Sequence, residues 1–547
     1  MTSHCNTDDK TFNLVDDPWI LVTMLDGTEQ ELSLREVCHQ LDNIRAISGE
    51  SPAQAYAVLR IIIIVAWRAC LEHVEDVFWD NPSRWWLENL NNPRWLEDLF
   101  IDGYLDAWKE RFALISSNTP FMQVADLETT NGTRLGIRRL IAEAESDQFT
   151  VRAGKALDML SYPEAARWLI ALHAYDYSGI KPGAVGDPRV KGGKGYPIGT
   201  GWAGNTGGVV LHGTNLAQTI LLNFPPLEDI DPEEDLPSWE REPVTSAARE
   251  EEYPDGPADL LTWQSRRVRL INDENAKGIT EVIVTNGDRI EIANQFSDHM
   301  TAYRWSKNKS TKTNSVFYPR AHAAERTIWK SLEPLLIHSS KAQKPDESDK
   351  VPQTVQRLRR FTMDNEFDKT VGVELVGMVY GTQPAVIYNS IHATLAMNLQ
   401  LLADSDEVTA HTVIYVAQKT VDATVHLGQF SGMLHQAQGK NYSFDAEPTE
   451  SILFTLQPEF ERWLVKITPE SNMDQEVSSW FTFIKETVLR KARELMDKAG
   501  QGAVIGTVVK NKKSEPERLI SVATAYSFLD RRLKETLNLN KERKGEM

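Results

Sequence analysis

Cysteine is scarce in this chain of 547 residues: Cys5, Cys38 and Cys70 are the whole complement, and no two form a CxxC pair. An odd number without that spacing speaks against a disulfide framework and a thiolate zinc site, and a reducing cytoplasm is the expected compartment. Long apolar runs are missing too. The most apolar stretch, VLRIIIIVAWRAC from Val58 to Cys70, contains Arg60 and Arg68. It falls short of the ~20 apolar residues needed to cross a bilayer, so a buried helix is expected and no membrane partner. MTSHCNTDDK at the start has no basic segment leading into an apolar one, so no secretion signal is read. Positive charge is in deficit, with a net charge of −19. Such a surface repels nucleic acid from a distance, and any nucleic-acid contact has to rest on local basic patches.

Familiar catalytic signatures are absent as well. There is no HExxH, HxH or acidic EF-hand loop, and no GxSxG, since Ser431 in QFSGM lacks the leading glycine. Asp16-Asp17 are adjacent, so their side chains point apart on a strand, and a turn before Pro18 explains them. No catalytic residue, metal ligand or cofactor is expected.

What is present describes a folded protein. Hydrophobic residues make up 41%, charged residues 25%, and there are fifteen Trp. At roughly 100 to 200 residues per domain, the length allows two to four domains. FNLVDDPWILV and LDGTEQELSL predict two strands joined at Asp26-Gly27, and Asn286-Gly287 is a second hairpin signal after EVIVT. Ser51-Pro52 begins a helix over Ala53 to Val74, and Pro163-Glu164 lies in the first turn of one over Tyr162 to Tyr175. Leu227 to Asp259 is acidic and Pro-interrupted and predicts a solvated loop or insertion. Strand-like alternation resumes at LLTWQSRRVRLI, EVIVTNGDRIEI and Ala302 to Trp305. Ser339 to Lys350 is the linker candidate. Four segments at helical spacing, Glu407–Gln429, Glu450–Lys466, Gln475–Lys498 and Glu515–Asn538, predict a helical bundle.

The stretch GGKGYPIGTGWAGNTGG, Gly192 to Gly208, raises the question of a nucleotide site, because GTGWAG matches GxGxxG. A dinucleotide fingerprint sits between a buried strand and a helix N-terminus. VKGGKGYP before it is no central strand, and NTGGVVLHGTN after it starts no helix. A Walker A loop fails too, because Gly195 follows Gly193-Lys194. What remains is a loop that exposes its backbone, beside Arg189, Lys191 and Lys194. Met300 to Ala324 lacks any acid while Arg304, Lys307, Lys309, Lys312 and Arg320 accumulate beside Tyr303, Trp305 and Tyr318. That mixture suits phosphates and base faces. QRLRRF at 356–361 and KNKKS at 510–514 are shorter basic patches.

In this order FNLVDDPWILV, TPFMQV (119–124), the Gly-rich stretch, GTNLAQTILLNF (213–224) and LLTWQSRRVRL resemble the CasA family, large subunits of the type I-E CRISPR Cascade complex. The resemblance implies an α+β fold: a mixed α/β N-terminal domain with short strands and long loops over 1–388, then a four-helix bundle over 389–547. It also implies a non-catalytic protein that recognises the protospacer-adjacent motif in double-stranded DNA, assists duplex opening and recruits a helicase-nuclease. Its partners would be CRISPR guide RNA and other Cascade subunits, a division of labour general to RNA-guided recognition. The family's motif-reading glycine loop matches Gly193, Lys194, Gly195 and Tyr196, continuing through Gly199 and Gly201. Its wedge matches Tyr380, Gly381, Thr382, Gln383 and Pro384, with either Gln383 or Pro384 as the inserted tip. Its minor-groove lysine aligns near Met300, so Arg304 or Lys307, with Lys309 beside them, would substitute. Its guide-handle loop resembles Gln148–Tyr162, with Phe149, Arg152 and Lys155 as contacts. The competing classes are a metabolic enzyme holding a nucleotide in the glycine loop and a purely structural RNA-protein scaffold.

Overall fold

The computed structural model describes residues 12–73, 82–96, 101–141, 152, 154–226, 231–273, 278–325, 327–336, 348–362, 370–381, 384–398, 401, 407–468, 470–509 and 517–539. Two compact units form: one of Met1–Thr327, His338–Asp364 and Val371–Thr394, the other of Ile328–Ile337, Asn365–Thr370 and Leu395–Met547. A single cut after residue 388 would pass inside the strand Ile387–Asn398. The linker candidate lies outside the described residues as far as position 347, while Lys350 is described and exchanges backbone hydrogen bonds with Tyr303.

In the first unit, local chemistry sets many element ends. Strands Ile20–Met24 and Glu29–Leu32 pair antiparallel with Ile20 opposite Leu32, and Gly27 turns between them at φ +88°. Ser51 Oγ accepts the Gln54 N–H at 3.3 Å beside the start of helix Pro52–His73. The window Pro52–Leu71 is apolar enough to cross a membrane by length and composition, yet 89% of it is buried within the protein. Buried Cys38 and Cys70 carry free thiols, and burial pushes the Cys38 thiol up to about 12. Helix Tyr162–Tyr175 starts in a reciprocal capping box between Ser161 and Glu164. Ser161→Ala is expected to lower stability by about 1 kcal/mol, read as a shift in urea midpoint without a change in slope.

Residues 231–259 correct the expectation of a solvated loop. Trp239 is 1% exposed, packs 5.1 Å from the Phe112 ring and donates its indole N–H to the Tyr104 hydroxyl at 2.7 Å. Glu240 pairs with buried Arg68 at 2.6 Å, Asp259 with Arg249 at 2.8 Å and Asp255 with Arg241 at 2.6 Å. Asp235 accepts the N–H groups of Ala258 and Asp259, and burial raises its carboxyl to about 6. Acids counted as solvating charge are paired with distant Arg68 and with Arg241 and Arg249 of the same segment, and one indole supplies the apolar anchor.

Asn286-Gly287 is also corrected. Arg266–Asp273 and Gly278–Asn286 do pair antiparallel, Arg266 opposite Asn286, but their connection is the 274–277 segment. Gly287 ends the second strand, donating to Ser265 O at 3.1 Å, and a Cβ there would lie 2.3 Å from Gln264 O. A three-stranded sheet follows the order Ile387–Asn398, Thr370–Tyr380, Gly208–His212, with the last pair antiparallel from Gly372 opposite His212 to Val376 opposite Gly208.

The second unit is the helical bundle. Glu407–Ala437 packs against Ala446–Lys466, Met473–Lys498 and Val522–Thr536. Its core includes Phe460, whose ring lies 4.5 Å from Trp329 and 5.6 Å from both Trp463 and Trp480, and the Trp480 indole donates to Thr420 Oγ at 3.0 Å. The fourth helix starts later than its hydrophobic period suggests. Strand Arg518–Ile520 pairs with Thr507–Val509 first, and Ser521 then caps Val522–Thr536.

Candidate nucleic-acid interface

Helix Tyr162–Tyr175 ends at Asp176, and the chain runs out and back as a short hairpin with Lys181 opposite Gly195 and Pro182 opposite Lys194. At its tip Lys191 and Lys194 exchange backbone hydrogen bonds of 3.0 and 3.2 Å around Gly192 and Gly193, whose φ values are +59° and +73°. A two-residue turn with both central residues left-handed calls for glycine at both. The tip exposes Gly192 and Lys194, and Tyr196 beyond it is 54% exposed.

Gly195, Gly201 and Gly204 pack closely, while Gly199 is half-buried with open space where a Cβ would stand. Gly195 is buried against Asn286, whose side-chain amide donates to Tyr196 O at 2.6 Å. Gly199, at φ +107°, offers its carbonyl to Arg266 at 2.8 Å. Gly201 donates to Asp176 O at 2.9 Å, and a Cβ there would lie 2.5 Å from the Ala174 carbonyl. Gly204 gives way to the Tyr380 hydroxyl. The glycines of GTGWAG therefore serve a turn and close packing, and a 3-10 helix at Trp202–Asn205 followed by strand Gly208–His212 occupies the place of the α-helix a dinucleotide would need. Gly192 was not among the predicted site residues. Its signal is the Lys-Gly-Gly-Lys order, a glycine pair set between two residues able to form a hairpin's closing pair.

A buried ionic cluster supports this segment. Asp176 pairs with Arg139 at 2.6 Å, Lys181 at 3.1 Å and Arg266, all buried. Burial works against the Asp176 carboxylate, yet the three cations hold it far below the ordinary carboxylate range. Burial, opposed by Asp176 and reinforced by Arg139 and Arg266, brings the Lys181 ammonium down to about 7. Lys181 also lies 3.9 Å over the Tyr177 ring.

The second predicted loop meets the segment that leads into the first. Gly381 N–H donates to Val386 O at 2.8 Å, closing the hairpin of Thr370–Tyr380 and Ile387–Asn398, and Ser178 N–H donates to Pro384 O at 2.7 Å. Tyr380 departs from the expected wedge role, because its hydroxyl donates to Tyr175 O at 2.6 Å and its ring fills the space beside Gly204. Pro384 is exposed, while Thr382 and Gln383 lie outside the described residues.

The basic stretch forms its own hairpin, Tyr303–Trp305 against Phe317–Pro319. Arg304 is exposed and 6.0 Å from the Tyr318 ring, Lys307, Lys309 and Lys312 are exposed, and Arg320 pairs with Asp349. Tyr303 and Met300 are buried.

Other predicted contacts are committed elsewhere. Arg152 bridges Glu50 at 2.6 Å and Glu164 at 2.8 Å, so it clamps the loop onto the helix start rather than presenting a free cation. Phe149 and the Lys155 side chain lie outside the described residues, as does KNKKS up to its last residue. Arg357 of QRLRRF donates to the carbonyls of Leu221, Leu222 and Pro225, satisfying the end of helix Leu216–Leu222. Among the described residues no group of three His, Cys, Asp or Glu is arranged to hold a metal ion.

Comparison with known proteins agrees over nearly the whole length. The profile of the family described as CRISPR-associated protein Cse1 matches residues 13–491. The CRISPR-associated protein CasA/Cse1 of Thermus thermophilus is 28% identical over 278 residues, an alignment spanning 48% of this chain and 49% of that relative. Cse1 from Thermobifida fusca is 33% identical and superimposes with a TM-score of 0.84, covering 97% of this chain and 98% of its own. A chain from a structure described as a CRISPR RNA-guided surveillance complex shares the fold at 18% identity and a TM-score of 0.70, covering 96% and 99%. With its hairpin-bearing α+β unit, its helical bundle and a profile match over most of its length, the chain belongs to the CRISPR-associated Cse1 family.

Proposed function

We propose that this chain is the non-catalytic large subunit of a type I-E Cascade complex, acting in the cytoplasm with CRISPR guide RNA and the other Cascade subunits. In this reading it inspects the protospacer-adjacent motif of double-stranded DNA, helps open the duplex and recruits the helicase-nuclease. The observation that carries it is the Ser178–Pro384 hydrogen bond, which ties the segment leading into the exposed glycine hairpin to the tip of the second hairpin. A bare backbone approaches a groove closely, and the neighbouring tip enters a base step. The Arg304–Lys312 hairpin supplies phosphate contacts that the overall charge denies elsewhere.

The test replaces Gln383 and Pro384 together by glycine. Complex assembly on guide RNA stays intact, while motif-dependent duplex opening, followed by 2-aminopurine fluorescence, slows by about tenfold, the loss of one wedge contact of ~1.4 kcal/mol. Unchanged opening would favour the purely structural scaffold. A thermal shift with NAD, FAD or ATP would favour the nucleotide enzyme.

A further inference from the structure

One ionic group in the first unit has no part in the reading so far. Glu374, on the central strand of the three-stranded sheet, accepts from His212 at 2.7 Å with one carboxylate oxygen and pairs with His392 at 3.0 Å through the other. The three residues stand on three different strands: His212 ends Gly208–His212, Glu374 lies in Thr370–Tyr380, and His392 in Ile387–Asn398. One carboxylate therefore ties both edge strands to the middle one. We propose that Glu374, His212 and His392 are positioning residues, a brace that holds Gly381 and Pro384 against Ser178 and slackens as His392 loses its proton.

The geometry gives the brace leverage. The strand Gly208–His212 accompanies the central strand from Gly372 to Val376. Beyond Val376 the hairpin continues as a two-stranded ribbon toward Gly381, which is about 20 Å from Glu374 at ~3.3 Å per residue. A two-stranded ribbon is stiff only where something clamps it. Distally it is held by the Tyr380 hydroxyl on Tyr175 O and by Ser178 N–H on Pro384 O. Of these contacts, only the brace contains a group, His392, whose charge changes near neutrality.

Its electrostatics agree. Burial disfavours the Glu374 carboxylate, but the hydrogen bonds and charges of His212 and His392 outweigh it and hold it down to about 2. The hydrogen bond to Glu374 raises His392 above the ordinary imidazole value, against a smaller effect of burial. His392 thus stabilises the fold fully below about 6.5, and the contribution is lost as pH rises through its raised value. Glu374 contributes above the ordinary carboxylate range and loses its contribution only in strong acid. One other group near the hairpin titrates in that window: Lys181, brought down to about 7, donates to Tyr177 O at 3.1 Å beside Ser178, and its share of any slope is the part that a His392 variant retains. His322, which bonds Gly208 O at 2.9 Å, is held below its usual value by burial, and burial pushes the Tyr56 and Tyr175 phenols well up.

This inference takes its meaning for DNA from the reading proposed above, but its test needs no DNA. Hydrogen exchange of the full chain would follow the amides of Ser178 and Gly381 from pH 6 to 8, corrected for intrinsic rates. In the wild type their protection falls by roughly tenfold across that range, the difference between an ionised and a neutral hydrogen-bond partner. Glu374→Gln is expected to show low protection and no more slope than Lys181 supplies. His392→Gln, which can still donate to the carboxylate but does not titrate, is expected to show high protection and a reduced slope. A wild-type profile retained by both variants would overturn the brace. Should Glu374→Gln fail to fold, an unaltered slope in the half-exposed His392→Gln would overturn it alone. If protection behaves as expected while duplex opening by the assembled complex is independent of pH, the brace stands and the wedge reading fails.

Discussion

Asp176→Ala is expected to reduce the unfolding free energy by about 3–5 kcal/mol, because it strands buried cations around the site of their shared carboxylate. Arg139, Lys181 and Arg266 all reach Asp176, and each is buried. Lys181 can respond by giving up its proton, since it already sits near 7, but the two guanidiniums cannot. Loss of the side chain also frees Arg266 from the anchor that aims it at Gly199 O, so the glycine segment should exchange its amides faster than the rest of the unit. Urea unfolding would measure the stability change. Asp176→Asn preserves volume but not charge and should lose nearly as much as Ala. An Asn variant as stable as the wild type would mean that charge is not what holds this cluster.

Gly193→Val is expected to weaken motif-dependent DNA binding by the assembled complex about 100-fold, equivalent to ~2.7 kcal/mol. Two effects combine. A β-branched residue at φ +73° is strained, so the Lys191–Lys194 turn has to change type, and its Cβ would lie 3.4 Å from Thr130 Oγ1, adding bulk at a half-buried tip position. Gly193→Asn separates them, because Asn tolerates the left-handed region while still adding bulk at the tip. It should bind almost as poorly as the Val variant despite an unaltered turn. If Asn reads the motif as well as the wild type does, close backbone approach is not the basis of recognition. Neither substitution touches the core, and the unfolding midpoint should change little.

The features legible before folding share a short range in the chain. Ser161 and Glu164 are three residues apart, Gly27 closes a turn with its immediate neighbours, and the apolar run around Val58–Cys70 marks the buried helix by itself. Caps, turns and hydrophobic periods are interactions of a residue with its next few neighbours, so composition and order suffice to find them. Family resemblance, read from motifs dispersed along the chain, likewise anticipated the α+β unit and the bundle.

What escaped has its partners far away in sequence. Glu240 meets Arg68 172 positions off, which turns an acidic stretch from solvated loop into core wall. Tyr380 meets the Tyr175 carbonyl 205 positions off, which turns an expected wedge residue into an internal strut. Arg152 is claimed by Glu50, and Asn286-Gly287 is claimed by Gln264 and Ser265 before it can act as a hairpin turn. A charged or glycine residue carries the same local signal whether it ends up paired, packed or exposed. Residue order and composition established the helices, the tight turns, the α+β class and the family. Which glycines face outward, which cations stay free and which two loops meet at Ser178 and Pro384 was settled by long-range contacts, because burial and pairing depend on the residues that folding brings together.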